Sequence, residues 1–172
     1  MDRPASRAGV DAAAFRSAMR QLAGGISAIT VGQDDDRTGL TVTSVSSLSA
    51  DPPSLVFCIN RSSSSWPVLV RRRTFAVNVL SPAQIGVAER FSGRGGAKGA
   101  ARYEGVRWSR LVTGTPVLRD ALAVLDCEVE ELVERFGSAV VIGRVVAAEV
   151  RVEAAEPEAL AYWRGTYGIL RL

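Results

Sequence analysis

A mainly β chain with a few short helices, closing or nearly closing into an antiparallel barrel, is what this sequence predicts. Three observations carry that expectation. Short runs rich in β-branched residues recur along the chain and number six or seven. Helical periodicity is confined to brief stretches, each opened or closed by Ser, Pro or Gly. No internal repeat divides the 172 residues, and 47% hydrophobic residues suffice for one sizeable core. Closure also removes the exposed edges that so many strands would otherwise leave. A single domain over residues 1–172 is expected, with residues 1–10 flexible.

Phe15, Met19 and Leu22 fall at helical spacing before Gly24-Gly25, so Asp11 to Ala23 reads as an amphipathic docking helix. Ile26 to Val31, an acidic turn at Asp34-Asp35-Asp36, and Leu40 to Ser47 read as a β-hairpin. Asp51-Pro52-Pro53 interrupts pairing, since proline lacks the amide donor, and Leu55 to Asn60 follows as an apolar third strand. Ser62 to Ser65 before Trp66-Pro67 opens a short helix whose end, Arg71-Arg72-Arg73, is solvated. Phe75 to Leu80 places Phe75, Val77 and Val79 on one side of a strand, and Ser81-Pro82 starts a second short helix, Ala83 to Phe91. Gly93, Gly95, Gly96 and Gly99 make Ser92 to Arg102 a flexible loop outside the core, carrying Arg94, Lys98 and Arg102.

Tyr103, Trp108 and Trp66 read as packing residues. Ala123, Leu125, Cys127 and Val129 share one face of a half-exposed strand, with Asp126, Glu128 and Glu130 on the other. Val140 to Val152 is the last long strand, bulged at Gly143, and Pro157 to Gly165 closes the chain as a short helix or turn. Cys58 and Cys127 lie in β-like apolar runs and read as buried reduced thiols.

Composition removes whole reaction classes. The sequence has no histidine, which excludes Ser-His-Asp and Cys-His nucleophile systems and every His-containing metal site; no metal is expected. Its one lysine, Lys98, lies in the Gly-rich stretch, a poor place to desolvate a Schiff-base amine. No apolar run approaches the roughly 20 residues of a membrane span, and charges interrupt Met1 to Arg20, so a cytoplasmic protein away from membranes is expected. A net charge of +3 is too small and dispersed for nucleic acid. An enzyme of this composition would leave the hard chemistry to an organic cofactor.

The Gly-rich loop matches neither the P-loop nor the dinucleotide turn. Ser62-Ser63-Ser64-Ser65, at a helix start beside Arg61, has the donors and charge to hold an anion. From this segment alone a Ser-rich turn that caps its own helix is the commoner arrangement, and both readings stand at this point.

The ordered set Phe15, Gly24-Gly25-Ile26, Gly39-x-Thr41 with Ser44 and Ser47, Asp51-Pro52-Pro53, Ser63 to Trp66, Phe75-Ala-Val-Asn78-Val-Leu80, Gln84 and Phe91 continues through Tyr103-Glu-Gly105-Val-Arg-Trp108, Gly114-Thr-Pro116-Val-Leu118, Ala121, Cys127 and Tyr162-x-x-Gly165-x-Tyr167. Over nearly its whole length the chain resembles the flavin reductases that partner two-component monooxygenases. The resemblance implies an FMN-binding split β-barrel, homodimeric, with flavin near the subunit interface. It assigns Thr41, Val42, Thr43, Ser44, Val45, Ser47 and Leu48 to the isoalloxazine and ribityl chain, Ser62, Ser63, Ser64 and Ser65 to the phosphate, and Arg94 to the flavin tail. It implies that NAD(P)H reduces FMN or FAD, and that reduced flavin passes to a partner monooxygenase or reacts in place. Gly137, Ser138, Ala139 and Tyr167 fall on the nicotinamide side.

One departure matters. Family reductases carry Gly-Asp-His where this chain reads Gly137-Ser138-Ala139. Hydride transfer needs the donor carbon held roughly 3–3.5 Å from the flavin, so the missing pair weakens nicotinamide positioning or changes the reductant. A non-catalytic flavin or other cofactor binder on the same barrel is the competing reading, and a dimeric scaffold without cofactor the third.

Overall fold

The computed structural model describes residues 9–150 and 158–171. Most of the segment expected to be flexible, residues 1–8, and the last residues of the Val140 to Val152 run lie outside the described residues. Helix α1 (Ala12–Met19) begins where Asp11 Oδ1 accepts the amides of Ala13 and Ala14 at 2.8 and 2.9 Å. It ends at Met19 rather than Ala23, and the two glycines form a short strand, β1 (Gly24–Gly25).

Strands β2 (Ser27–Val31) and β3 (Thr38–Val42) make the expected hairpin around the acidic turn. Its second arm stops early, because Ser46 to Ala50 is a separate strand, β4 (Ser46–Ala50), paired with β5 (Pro53–Asn60). Asp51-Pro52-Pro53 therefore does not end pairing. It is the turn of a second hairpin, with a cis Asp51–Pro52 peptide and Ala50 opposite Pro53. Helix α2 (Trp66–Arg72), strand β6 (Thr74–Val79) and helix α3 (Ile85–Phe91) follow the sequence expectation closely. The remaining strands are β7 (Trp108–Arg110), β8 (Pro116–Leu118), β9 (Ala123–Arg135), β10 (Ser138–Val150), β11 (Ala159–Trp163) and β12 (Thr166–Leu170).

The main sheet has seven strands in the order β3-β2-β6-β9-β10-β5-β4, all neighbours antiparallel. Laid flat, at about 4.8 Å per strand, its edges would stand roughly 29 Å apart. Yet β3 and β4 are joined only by residues 43–45, a link that reaches at most about 14 Å. The sheet must curl, and it does so into a barrel split along the β3/β4 seam. Inside lie Ile29, Val31, Phe57, Phe75, Val77, Cys127 and Val141; outside, under α3, lie Ile26, Ala28, Leu80, Val87, Phe91, Tyr103 and Val124. Strand β2 is buried throughout because its alternate residues feed these two cores.

Several sequence expectations change here. The chain end forms the β11–β12 hairpin rather than a helix or turn, since Gly24 and Gly25 of β1 pair with Tyr162 and Ala161, a partner periodicity cannot see. Asp126 is buried, not exposed, because residues 113–118 cover that face and Thr113 donates its amide and hydroxyl to the carboxylate at 2.7 and 2.6 Å. Cys58 is exposed on the outward side of β5, whereas Cys127 is buried and its thiol pushed up to about 12 by desolvation. The bulge at Gly143 is present, and a Cβ there would meet the Phe75 ring at 2.4 Å.

Candidate functional site

A cleft of about 260 Å³ opens where β3 runs out into the seam. Ile26, Thr41, Val42 and Thr43 form one wall; Ser92 and Arg94, just past α3, and Tyr162 and Tyr167 of the last hairpin form the others. The two tyrosine rings meet edge to face, 5.5 Å between centroids. Val42 points inward, 8% exposed, so it can face a ligand only through its backbone. Thr41 donates its hydroxyl to Ala88 O at 2.6 Å, which fixes β3 against α3. Thr43 is left exposed at the mouth.

The Gly-rich segment that supplies Arg94 is pinned, contrary to the expectation of a flexible loop. Arg102 is 8% exposed, and its guanidinium donates to Gly39 O and, at 3.2 Å, to Ala97 O. Burial lowers its pKa. Arg94 pairs with Glu89 at 2.5 Å, which raises the guanidinium pKa further and holds a cation over the cleft. Desolvation, with the nearby Glu89 carboxylate, raises the Tyr167 phenol, so it stays protonated at neutral pH.

A second polar group lies at the end of β5. Ser44 Oγ accepts the Cys58 amide at 3.1 Å, which ties the seam to β5, and two residues on Asn60 Oδ1 accepts the amide and hydroxyl of Ser62 at 2.9 and 2.8 Å. The four serines are thus not equivalent. Ser65 is fully buried and donates to Gly39 O at 2.8 Å, a structural bond. Ser63 Oγ accepts the Ser65 amide at 3.3 Å and keeps its proton; Ser64 is exposed with its hydroxyl uncommitted. Arg61 turns away from these serines, pairing with Glu134 at 2.7 Å and donating to Phe136 O at 3.3 Å. Val45 packs against the barrel core, while Ser47 and the bulged Leu48 sit exposed on edge strand β4.

Gly137, Ser138 and Ala139 form the tip of the β9–β10 hairpin, with Ser138 opposite Asn60. Ala139 is 2% exposed and its methyl belongs to the barrel core, so Ser138 is the side chain of the three that faces solvent. Tyr167 lies instead in the β3 cleft, and no described contact joins it to Gly137–Ala139. Ser92, Tyr162 and Glu89 were not singled out as site residues by the sequence, because only the α3 and β11–β12 packing brings them to β3.

The chain is similar to known proteins over most of its length. Residues 19–171 match the family model described as flavin reductase like domain. The chain is 39% identical over 161 residues to FMN reductase (NADH) RutF 2 of Methylorubrum extorquens, covering 94% of this chain and 91% of that one. It is 34% identical to HsaB, the reductase subunit of a flavin-dependent monooxygenase of Mycobacterium tuberculosis, covering 92% and 82%. Among solved structures, BorF, the flavin reductase component of a bacterial two-component tryptophan halogenase, superposes with a TM-score of 0.84 at 27% identity, covering 94% and 99%.

Proposed function

The chain belongs to the flavin reductase like domain family, and on that premise we propose that it is an NAD(P)H:flavin oxidoreductase that reduces FMN or FAD and passes the reduced flavin to a partner monooxygenase. The observation that carries this reading is the β3 cleft. Ile26, the Val42 backbone and two tyrosine rings suit a flat, largely apolar ring system, and Thr43, Ser92 and Arg94 supply polar groups at its edge. When bound, the flavin supplies the hydride acceptor, its N5.

The rest is orientation by this chain's residues. The backbone of Thr41 to Val45, held by Thr41 to Ala88 and by Ser44 to Cys58, lines the ring and ribityl chain. Ser63 and Ser64 offer hydroxyls to the phosphate, whereas Ser65 supports the turn from below. Arg94 holds positive charge beside the flavin tail. On the nicotinamide side, Ser138 offers one hydroxyl where family members offer an Asp-His pair, so nicotinamide is held loosely and the reaction slows without stopping. HsaB is by name the reductase subunit of a flavin-dependent monooxygenase and BorF the flavin reductase component of a two-component halogenase, which supports delivery of reduced flavin to a partner enzyme.

The protein works as one domain, as a homodimer, in the cytoplasm. A twofold pair is the commonest arrangement of soluble homo-oligomers and the one the family resemblance implies. Among the described residues no helix is long and apolar enough to cross a membrane. Oxidation of NADH and NADPH, each with FMN, FAD or no flavin, tests the assignment: turnover that depends on added flavin supports it, and absence of turnover with every pair refutes it.

A further inference from the structure

Among the described residues that line the β3 cleft, Arg94 is the charged one, and behind it stands an acid, Glu89. Glu89 lies near the end of α3 and Arg94 just beyond that helix, yet the two side chains meet, Arg94 Nη1 donating to Glu89 Oε1 at 2.5 Å. The end of the helix brings them together. Ser92 N donates to Ala88 O at 3.0 Å and Gly93 N to Arg90 O at 3.1 Å, and Gly93, at φ +85, turns the chain back toward α3. Ser92 Oγ donates to Glu89 O at 2.7 Å, so the serine proton is committed to the same turn.

The pair is open to water, with 66% of the Arg94 side chain and 37% of the Glu89 side chain exposed. An ion pair this exposed is weakly held and changes partners readily. Both charges also reach the cleft wall. Beyond the desolvation that raises the Tyr167 phenol, the Glu89 carboxylate raises it and the Arg94 guanidinium lowers it, so the two act on that ring with opposite sign. An anion arriving at this edge of the cleft therefore meets a cation that already has a counterion.

We propose that Glu89 is a positioning residue that keeps the flavin exchangeable: it holds Arg94 at the cleft edge while the cleft is empty, and it competes with the anionic flavin tail for the same guanidinium once the cleft is filled. The inference rests on the flavin reading above and deepens it, since a reductase that hands reduced flavin to a partner must also let it go. Two opposed effects decide the sign. Prearranging Arg94 favours the tail, but by no more than about 5-fold for an exposed pair. Repulsion between the carboxylate and a doubly charged phosphate that shares one guanidinium is on the order of tenfold in water, and salt lessens it. Competition wins at low ionic strength.

Fluorescence titration of the full chain and of Glu89→Gln, each with FMN and with riboflavin, tests the proposal. Glu89→Gln should bind FMN about threefold tighter or more at low ionic strength, less so as salt rises, and should bind riboflavin, which has no phosphate, as the parent does. In stopped-flow the gain should appear as slower FMN dissociation. Arg94→Ala is the second variant, expected to weaken FMN more than riboflavin. FMN affinity in Glu89→Gln equal to or below that of the parent overturns the inference, because Glu89 then only props Arg94 in place. Riboflavin that tightens as much as FMN in Glu89→Gln, or weakens as much in Arg94→Ala, overturns it too, because the effect then falls on the ring. FMN-dependent turnover in the parent with no gain in Glu89→Gln removes this inference alone. A parent that binds neither flavin and oxidises no nicotinamide with either removes the flavin reading and this inference with it.

Discussion

Replacing Ser65 and Ser64 separately divides the serine turn into its structural and ligand-binding parts. Ser65 Oγ is fully buried and donates to Gly39 O at 2.8 Å, with Thr38 Oγ1 at 3.3 Å. Ser65→Ala removes one neutral hydrogen bond, worth about 0.5–1.5 kcal/mol net. It orphans nothing, because Arg102 still donates to Gly39 O. For a chain of this length about 1 kcal/mol lowers Tm by roughly 2–4 °C. Ser64→Ala touches no internal bond, so its Tm should stay within about 1 °C of the parent, on the scale of surface changes near ±0.5 kcal/mol. Its loss falls on the ligand instead: a hydrogen bond to a charged phosphate is worth about 1.5–3 kcal/mol, roughly 10- to 150-fold in FMN affinity, with riboflavin unaffected. Scanning calorimetry and flavin fluorescence titrations read both quantities. Equal Tm for the two variants, or equal loss of FMN and riboflavin by Ser64→Ala, would refute the division.

Three further outcomes follow from the same geometry. Gly143→Ala forces a Cβ to within 2.4 Å of the buried Phe75 ring, an overpacking cost of about 1–3 kcal/mol in urea unfolding, which Phe75→Leu in the same chain should partly relieve. Asp36 is held well below the usual carboxylate range by hydrogen bonds from Arg72 and Arg71, so its ion pairs stabilise the fold above about pH 4, and that contribution is lost as the pH falls toward the lowered value. Asp36→Asn should therefore cost about 1 kcal/mol at pH 7, discounted for the partial exposure of the pairs, and progressively less in acid titrations of stability. Ser138→Asp restores the carboxylate of the family pair at the exposed tip position and should raise kcat/KM for NADH about 5- to 30-fold, with FMN affinity unchanged in the same titration.

Local chemistry was legible where it decided local structure. Ser81-Pro82 opened a helical segment with a capping box to Gln84, and the β-branched run at Ile26 made β2. The split of the barrel was readable only through the resemblance, because it depends on β4 joining β5 across a cis-proline turn while β3 stays with β2. Period-two alternation put Asp126 outward along β9, but a segment arriving from residues 113–118 covered that face, a tertiary event no window of the strand contains. Among the site residues, Thr41 to Thr43 and Arg94 line one cleft, and Tyr167, which the resemblance grouped with Gly137 to Ala139, lies there with them because the β11–β12 hairpin packs beside β3. The serine cluster shows the limit most plainly: four identical side chains in sequence become one buried support, one bonded to Asn60, and two with free hydroxyl protons, since only the turn's fold decides which of them faces inward.

Anaerobic mixing of the protein and FMN or FAD with NADH, followed by the loss of oxidised-flavin absorbance, tests the central assignment most directly. The account predicts that absorbance falls far faster with protein than without it, and that Arg94→Ala or Thr43→Pro slows the change by weakening flavin binding. Flavin that stays oxidised with both NADH and NADPH, at concentrations where it is bound, would contradict it.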